Sequence, residues 1–418
     1  MSGVTGKILF LFIFCFPAMV TAQDTLRINI RQADSIFLQN SYYLLAASMN
    51  IEGQNALVIQ AKLYPNAVLT IDFNAWDPEN NKILHAGKTG QKAIQLEQLI
   101  ILGGKRKAEI EIAKTNAGIA ALELEQTTRN LKYRLHSSLY AAGQQEFLLG
   151  QYNQQMTWLE NLLQSYQVQA DKGNIALKEV VRLKGAYLKL HNDRSAVLKT
   201  WFETQADLQQ LMQVPAVIRF EFSEDDITRY IRVIAPETVQ STAGESRPDL
   251  LILKQQQVLA NQHLDLQKRY VVPDLTVFSA YDQRGGAFMN QVNAGIALPL
   301  PFLNRNQGNI KAAAFQSRET GYQLKALENE VNSQVRNAYA WYNQSISEYR
   351  KVSGLYNADF DLTLKGMTGN FQKRNVSIME FIDFFESYND VITELTRTRT
   401  QLVAAAEELN RLAGKDLY

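Results

Sequence analysis

Residues 173–180 read GNIALKEV, and residues 374–381 read RNVSIMEF. The two stretches stand 201 residues apart and agree in kind at five positions. Asn174 matches Asn375, Ile175 matches Val376, Leu177 matches Ile378, Glu179 matches Glu380, and Val180 matches Phe381. Eight residues alone could coincide by chance. Leu102 and Leu303, Leu208 and Leu409, and Leu211 and Leu412 keep the same spacing. A single offset held over so long a span predicts an internal duplication, with two segments of equal length.

Prolines mark where those segments lie. None occurs between Pro78 and Pro215, and none after Pro301. Both gaps are rich in Ala, Leu, Gln, Glu, Lys and Arg, the residues that lose least on entering a helix. In the first, Ile110, Ala113, Ala117, Ala120, Leu124, Thr127 and Leu131 step by three and four, and Leu135 and Leu139 continue at spacing four. In the second, Phe385, Tyr388, Ile392, Leu395, Leu402, Ala406 and Leu409 follow the same rule. These are coiled-coil stripes. Each gap is too long for one comfortable helix and reads as a helical hairpin.

Upstream of each gap the period changes from helix to strand. Tyr64-Pro65-Asn66 precedes AVLTIDFNAW, and Val272-Pro273-Asp274 precedes LTVFSAY. Over 69–76, Leu69, Ile71, Phe73 and Ala75 fall on one face and Thr70, Asp72, Asn74 and Trp76 on the other. Over 291–298, Val292, Ala294, Ile296 and Leu298 alternate with Gln291, Asn293, Gly295 and Ala297. Stretches 93–101 and 275–281 are weaker partners. The prolines are 208 apart rather than 201, and DPENNKILHAGKTG (77–90) is the place for the extra seven residues. Strands apolar on one side and polar on the other fit the wall of an outer-membrane barrel, with Leu69, Ile71 and Phe73 toward lipid. Four strands cannot enclose a pore, so the chain is expected to share its barrel with copies of itself.

The remaining composition narrows the function. Forty-three basic and 42 acidic residues among 418 leave no net field to attract nucleic acid. The only cysteine is Cys15, and His85, His136, His191 and His263 are scattered without ligand spacing. No metal or cofactor site and no catalytic constellation is expected, so the chain is read as a non-enzyme. Lys7, the run ILFLFIFCF, Pro17 and the small residues before Gln23 form a signal peptide over 1–22. Past it no apolar run is long enough for a spanning helix, so a crossing would be made by strands. A purely structural coiled-coil surface protein would explain the heptads but not four alternating strands at matching places.

At this point the chain resembles the TolC-like outer-membrane efflux family over nearly all of its mature length. The resemblance rests on RPDL (247–250), on Pro65 and Pro273 before strands, on QLIILGGKRKAEI (98–110) and on LPLPFLNRNQGNI (298–310). The last two look most like the cobalt-zinc-cadmium, CzcC-like branch. The resemblance implies a mixed α/β membrane protein, a long α-helical coiled-coil barrel plus four β-strands per protomer in a shared transmembrane barrel. It implies a homotrimer in the outer membrane, a periplasmic adaptor and an inner-membrane pump of the resistance-nodulation-division type. It also implies the organisation: a first repeat over 23–214, an equatorial linker over 215–246 and a second repeat over 247–418, ending without the C-terminal extension of some relatives. The protein would be a passive exit duct for heavy-metal cations; general drug or solute efflux and type I secretion are the alternatives.

The repeated octapeptide then acquires a meaning. In the family a glycine-containing turn followed by an acidic residue marks the periplasmic tip of each hairpin. Gly173 and Asn174 match that turn in the first repeat and Glu179 its acidic position. In the second repeat Arg374 and Asn375 stand where glycine is usual, with Asn tolerating the left-handed backbone. Glu380 and Asp383 match acidic positions that line the closed aperture in relatives. Three residues apart, they can share a helix face, and crowding in stacked rings would raise some of their pKa values.

Overall fold

The computed structural model describes residues 24–232, 234–285, 288–356, 358–373 and 375–418. The expected signal peptide and Arg374 lie outside the described residues. The chain opens with β1 (Thr25–Ile28), α1 (Ile30–Asn40) and α2 (Tyr42–Ala61). Next come β2 (Val68–Phe73), the two-residue strands β3 (Trp76–Asp77) and β4 (Lys82–Ile83), and β5 (Lys92–Ile100). The long helices α3 (Lys105–Asp171) and α4 (Leu177–Met212) pack against each other. Between 215 and 246 lie β6 (Val217–Phe220), α5 (Glu224–Thr228) and α6 (Pro236–Ser246). Then follow α7 (Pro248–Arg269), β7 (Leu275–Asp282), β8 (Gln291–Ala297), α8 (Gln307–Leu355), α9 (Ala358–Gln372) and α10 (Ile378–Ala413).

Helix ends follow from local chemistry. Asn29 and Gln32 close a capping box on α1, as Ser223 and Asp226 do on α5 and Ser377 and Glu380 on α10. Pro236 and Pro248 stand at the first positions of α6 and α7, where a missing N–H costs nothing. At 67 residues α3 spans about 100 Å. Helix ends recur at the 201-residue offset: Asp171 with Gln372, Leu177 with Ile378, and Met212 with Ala413. The first arm of the second pair departs from that parallel, because α8 and α9 are separated at Tyr356, whose backbone is extended.

The four main strands form one antiparallel sheet in the order β2-β5-β7-β8. The alternation expected over 69–76 stops at Phe73. There the Asn74 side chain accepts the Trp76 N–H at 3.1 Å and turns the chain out of the sheet. The longer 74–91 connection folds into the β3–β4 ribbon and is tied to the shorter β7–β8 connection. Gln283 Nε2 donates to the Gly87 and Gly90 carbonyls at 2.6 and 2.8 Å. A second, parallel pair, β1 with β6, sits in the waist and has no counterpart in the expectations.

The largest core gathers α1, α3, α4, β6, α8 and α10 around Leu135, Tyr140, Leu208, Ile218, Tyr342 and Leu402. A second core, toward the tips, is aromatic, with Phe371 stacked on Phe381 at 4.5 Å and Trp158 tilted on Phe381 at 4.9 Å. The predicted stripe of α10 is buried throughout. That of α3 needs correction at its start. Ala108 and Ile112 are buried there, packed against Leu266 of α7, while Ile110, Ala113 and Ala117 are half-buried. Near the sheet α3 packs against α2 and α7, which draws the buried stripe around the helix.

Gly414 closes α10 in the left-handed conformation (φ +70°), and a Cβ there would lie 2.4 Å from the Ser246 carbonyl oxygen. Gly414→Ala should therefore lower stability by roughly 1–3 kcal/mol. Gly118, inside α3, has open space around it. Gly118→Ala should raise stability by up to about 1 kcal/mol. Thermal unfolding followed by circular dichroism should move the two midpoints in opposite directions.

Candidate channel elements

The register places residues of like character in rows across the sheet. On one face run Leu69–Leu96–Ser279–Ala294 and Ile71–Ile94–Tyr281–Val292, followed by Gln98–Val277–Ile296. On the other run Thr70–Gln95–Ala280–Asn293 and Asp72–Ala93–Asp282–Gln291. Leu69, Ile71 and Phe73 are 59%, 49% and 57% exposed, so the apolar face is open rather than packed on the chain's own core. The apolar face is interrupted by Lys92 opposite Phe73, by Gln98 and by Ser279, and the polar face by Val68, Leu99 and Phe278, the last filling the space over Gly295. Among the described residues β2 and β8 each pair on one side only, leaving the sheet with two unpaired edges. α2 raises the same question, since YYLLAASMNIEGQNALVIQA spreads its apolar residues around the helix and buries only Leu44. Among the described residues no helix is long and apolar enough to cross a membrane.

At the far end of the long helices, Gly173 has φ +77° and donates its N–H to the Ala170 carbonyl. Asn174 N–H reaches back to Gln169 O at 2.9 Å. This pair of bonds is the Schellman closure that glycine favours. In the other hairpin Asn375 N–H bonds Asn370 O at the same 2.9 Å. Asn375 makes this returning hydrogen bond one residue past the position that matches Gly173. The residue at that position is Arg374, outside the described residues.

Glu179 is half-buried in the first turn of α4, and Glu380 and Asp383 are exposed one turn apart on α10. The structure thus brings the last two to one exposed face, while Glu179 belongs to the other hairpin. Glu380 does additional work. Its carboxylate accepts from Ser377 N–H at 2.9 Å and Ser377 Oγ–H at 2.8 Å. The Ser377 N–H, then its hydroxyl, hold the carboxyl below the usual range. In the single chain the shift is therefore opposite to the rise expected from crowding. Above the tips, a groove of about 550 Å³ between α3, α9 and α10 is lined by Gln151, Gln155, Trp158, Thr368, Phe385 and Tyr388.

Two buried ionic centres escaped the sequence. Lys105 Nζ meets Asp274 Oδ1 at 2.8 Å where α3 leaves the sheet, and Leu102 N–H donates to the same oxygen. In the waist, His136 contacts Glu407 and Asp34, whose carboxylates are 271 and 102 residues away in sequence. A histidine between Leu135 and Leu139, and a glutamate within the apolar run of α10, were the available signals. Among the described residues no group of three or more His, Cys, Asp or Glu is placed to hold a metal ion.

No protein-family model matches the chain. It is 22% identical over 324 residues to the cobalt-zinc-cadmium resistance protein CzcC of Cupriavidus metallidurans, covering 76% of this chain and 72% of CzcC. Among solved structures it is similar to CusC, described through its transmembrane channel formation. There the TM-score is 0.75 at 14% identity over 92% of each chain. It is also similar to the outer membrane protein VceC of Vibrio cholerae, with a TM-score of 0.65 at 12% identity, covering 93% of this chain and 97% of VceC. CusC is thus described as forming a transmembrane channel, VceC as an outer membrane protein and CzcC as a resistance protein. The chain has the fold of the TolC-like outer-membrane channels, and its sequence is similar to the cobalt-zinc-cadmium branch.

Proposed function

We propose that this protein is the outer-membrane exit duct of a tripartite efflux system. Three copies would pool their four-stranded sheets into one twelve-stranded transmembrane barrel, and their long helices would form a periplasmic tunnel. The observation that carries this reading is the sheet: one exposed and mostly apolar face, with two edges unpaired among the described residues. A free edge in lipid leaves backbone N–H and C=O groups without partners, and only closure removes it. The β8 edge of one copy and the β2 edge of the next complement each other in a cyclic arrangement. The exposed Leu57 and Ile59 of α2 support the same arrangement, as does the length of α3. In this reading 23–214 and 247–418 are duplicated repeats joined through 215–246, and the 201-residue recurrence of helix ends supports it.

A periplasmic adaptor would dock at the tips around Gly173, Asn174, Arg374 and Asn375, coupling the duct to a resistance-nodulation-division pump that supplies the energy. The duct itself does no chemistry. Similarity to CzcC supports heavy-metal cations as cargo. Glu380 and Asp383 would be repeated by threefold symmetry into two acidic rings at the aperture, with Glu179 nearby. Such rings concentrate cations and repel anions without binding any one ion tightly.

Three measurements test this reading. Ile71→Arg should impair assembly of the heat-sensitive oligomer in outer-membrane fractions, since a lipid-facing cation near mid-bilayer costs roughly 2–4 kcal/mol. Thr70→Arg, on the opposite face, should assemble normally; equal behaviour of the two would refute the facing. Gly173→Val, forced into a left-handed turn, should weaken crosslinking to the adaptor and efflux while leaving the oligomer intact. Single-channel recording in a planar bilayer should show lower cation preference and weaker block by multivalent cations for Glu380→Gln/Asp383→Asn. Unchanged selectivity would place both carboxylates outside the lumen.

A further inference from the structure

We propose that His136 is carried as a doubly protonated imidazolium and acts as a latch that fastens the N-terminal helix α1 to the waist, releasing it as the surroundings turn alkaline. Its Nδ1 lies 2.9 Å from Glu407 Oε1 on α10, and its Nε2 lies 2.8 Å from Asp34 Oδ1 on α1. A neutral imidazole carries one N–H and one lone pair. With a carboxylate at each nitrogen, the neutral form would press that lone pair against an anionic oxygen.

Further donors and cations surround both carboxylates. Tyr230 O–H donates to Glu407 Oε1 at 2.5 Å, and Asn410 Nδ2–H to Glu407 Oε2 at 3.2 Å. Tyr230 and Asn410 both donate to this carboxylate, which favours its charged form. Asp34 has Lys132 Nζ at 4.0 Å, and Lys132 in turn holds Asp416 at 2.9 Å. Arg129 faces Asp416 from the same helix at 3.5 Å, and Arg229 donates to the Tyr230 hydroxyl at 2.7 Å. Tyr140 packs edge-on to Tyr230 at 5.9 Å.

Burial alone would push His136 down, but the hydrogen bonds to Asp34 and Glu407 outweigh it and raise the group to about 9. A pKa raised on folding contributes stability that is fully present below the unfolded value of about 6.5 and is lost as pH rises through the folded value.

Which contact opens is decided by exposure. Glu407 is 6% exposed and cannot reach water, whereas the Asp34 side chain is 28% exposed and keeps Lys132 nearby. The remaining proton should therefore stay on Nδ1, toward Glu407. Asp34 loses its imidazolium partner, and the ionic hold of α1 on α3 is reduced to the longer contact with Lys132. The inference is independent of what the duct carries.

The test uses the full chain, labelled with ¹⁵N-histidine and solubilised in detergent, with the His136 resonances assigned through His136→Gln. Near pH 7.5 both ring nitrogens should show the protonated shift, with the transition near the value of about 9. A neutral tautomer near pH 7.5 would overturn the proposal. Hydrogen exchange, corrected for intrinsic rates, gives the second readout. Protection of α1 relative to α4 should fall about tenfold or more between about pH 7.5 and 9.5. Asp34→Asn places a neutral amide at the latch and should abolish that step; a step that persists would also overturn the proposal. Should His136→Gln fail to fold, the resonance displaced in Asp34→Asn assigns His136.

Discussion

Helices of 67 and 49 residues have no means of holding themselves parallel. An isolated helix is stabilised along its axis, and its lateral position depends on what its apolar stripe meets. In this chain the answer is concentrated at the waist. There the stripes of α3, α4, α8 and α10 converge on Leu135, Leu139, Leu208, Val335, Leu402 and Leu409, all buried. The parallel pair β1–β6 and the short helices between 215 and 246 wrap that point, and Tyr140, Phe220 and Tyr230 fill the space between wrap and bundle. From this collar the sheet extends in one direction and the hairpin tips in the other.

Much of this was legible because it is periodic. β2 and β8 show alternation most clearly, being strands with one apolar and one polar face. The long helices are readable because no proline interrupts them, and because the α10 stripe meets the same kind of partner along its length. What could not be read is what depends on distant partners. β1 and β6 are four residues each, TLRI and VIRF, and are paired with a strand far along the chain. The drift of the buried stripe around Ala108 and Ile112 reflects which helices lie beside α3 near the sheet. The separation of α8 from α9 at Tyr356 carries no proline signal.

The candidate site residues were legible in a more limited sense. The repeated octapeptide located both turns, and Gly173 adopts the backbone that makes glycine useful there. The second turn uses the same returning hydrogen bond without the parallel in residue type. Glu380 illustrates a double role that sequence spacing cannot separate: the acidic residue three after a serine is both a helix cap and a charge at the surface. The ionic centres at His136 and Lys105 could not be paired from the sequence, because their partners come from other parts of the chain.

The recurrence of helix ends has a consequence for how such a chain can change. α4 and α10 are both 36 residues long, and the first arms of the two pairs end at the same offset. Removing one heptad from a single arm would withdraw its tip by about 10 Å while its partner stayed in place. Neighbouring stripes would then face each other out of step. Point substitutions meet no such barrier, which is compatible with two hairpins that share few identities yet keep a common measure. Length behaves as a collective variable in this architecture, and the smallest change it accepts is a whole heptad in every arm at once.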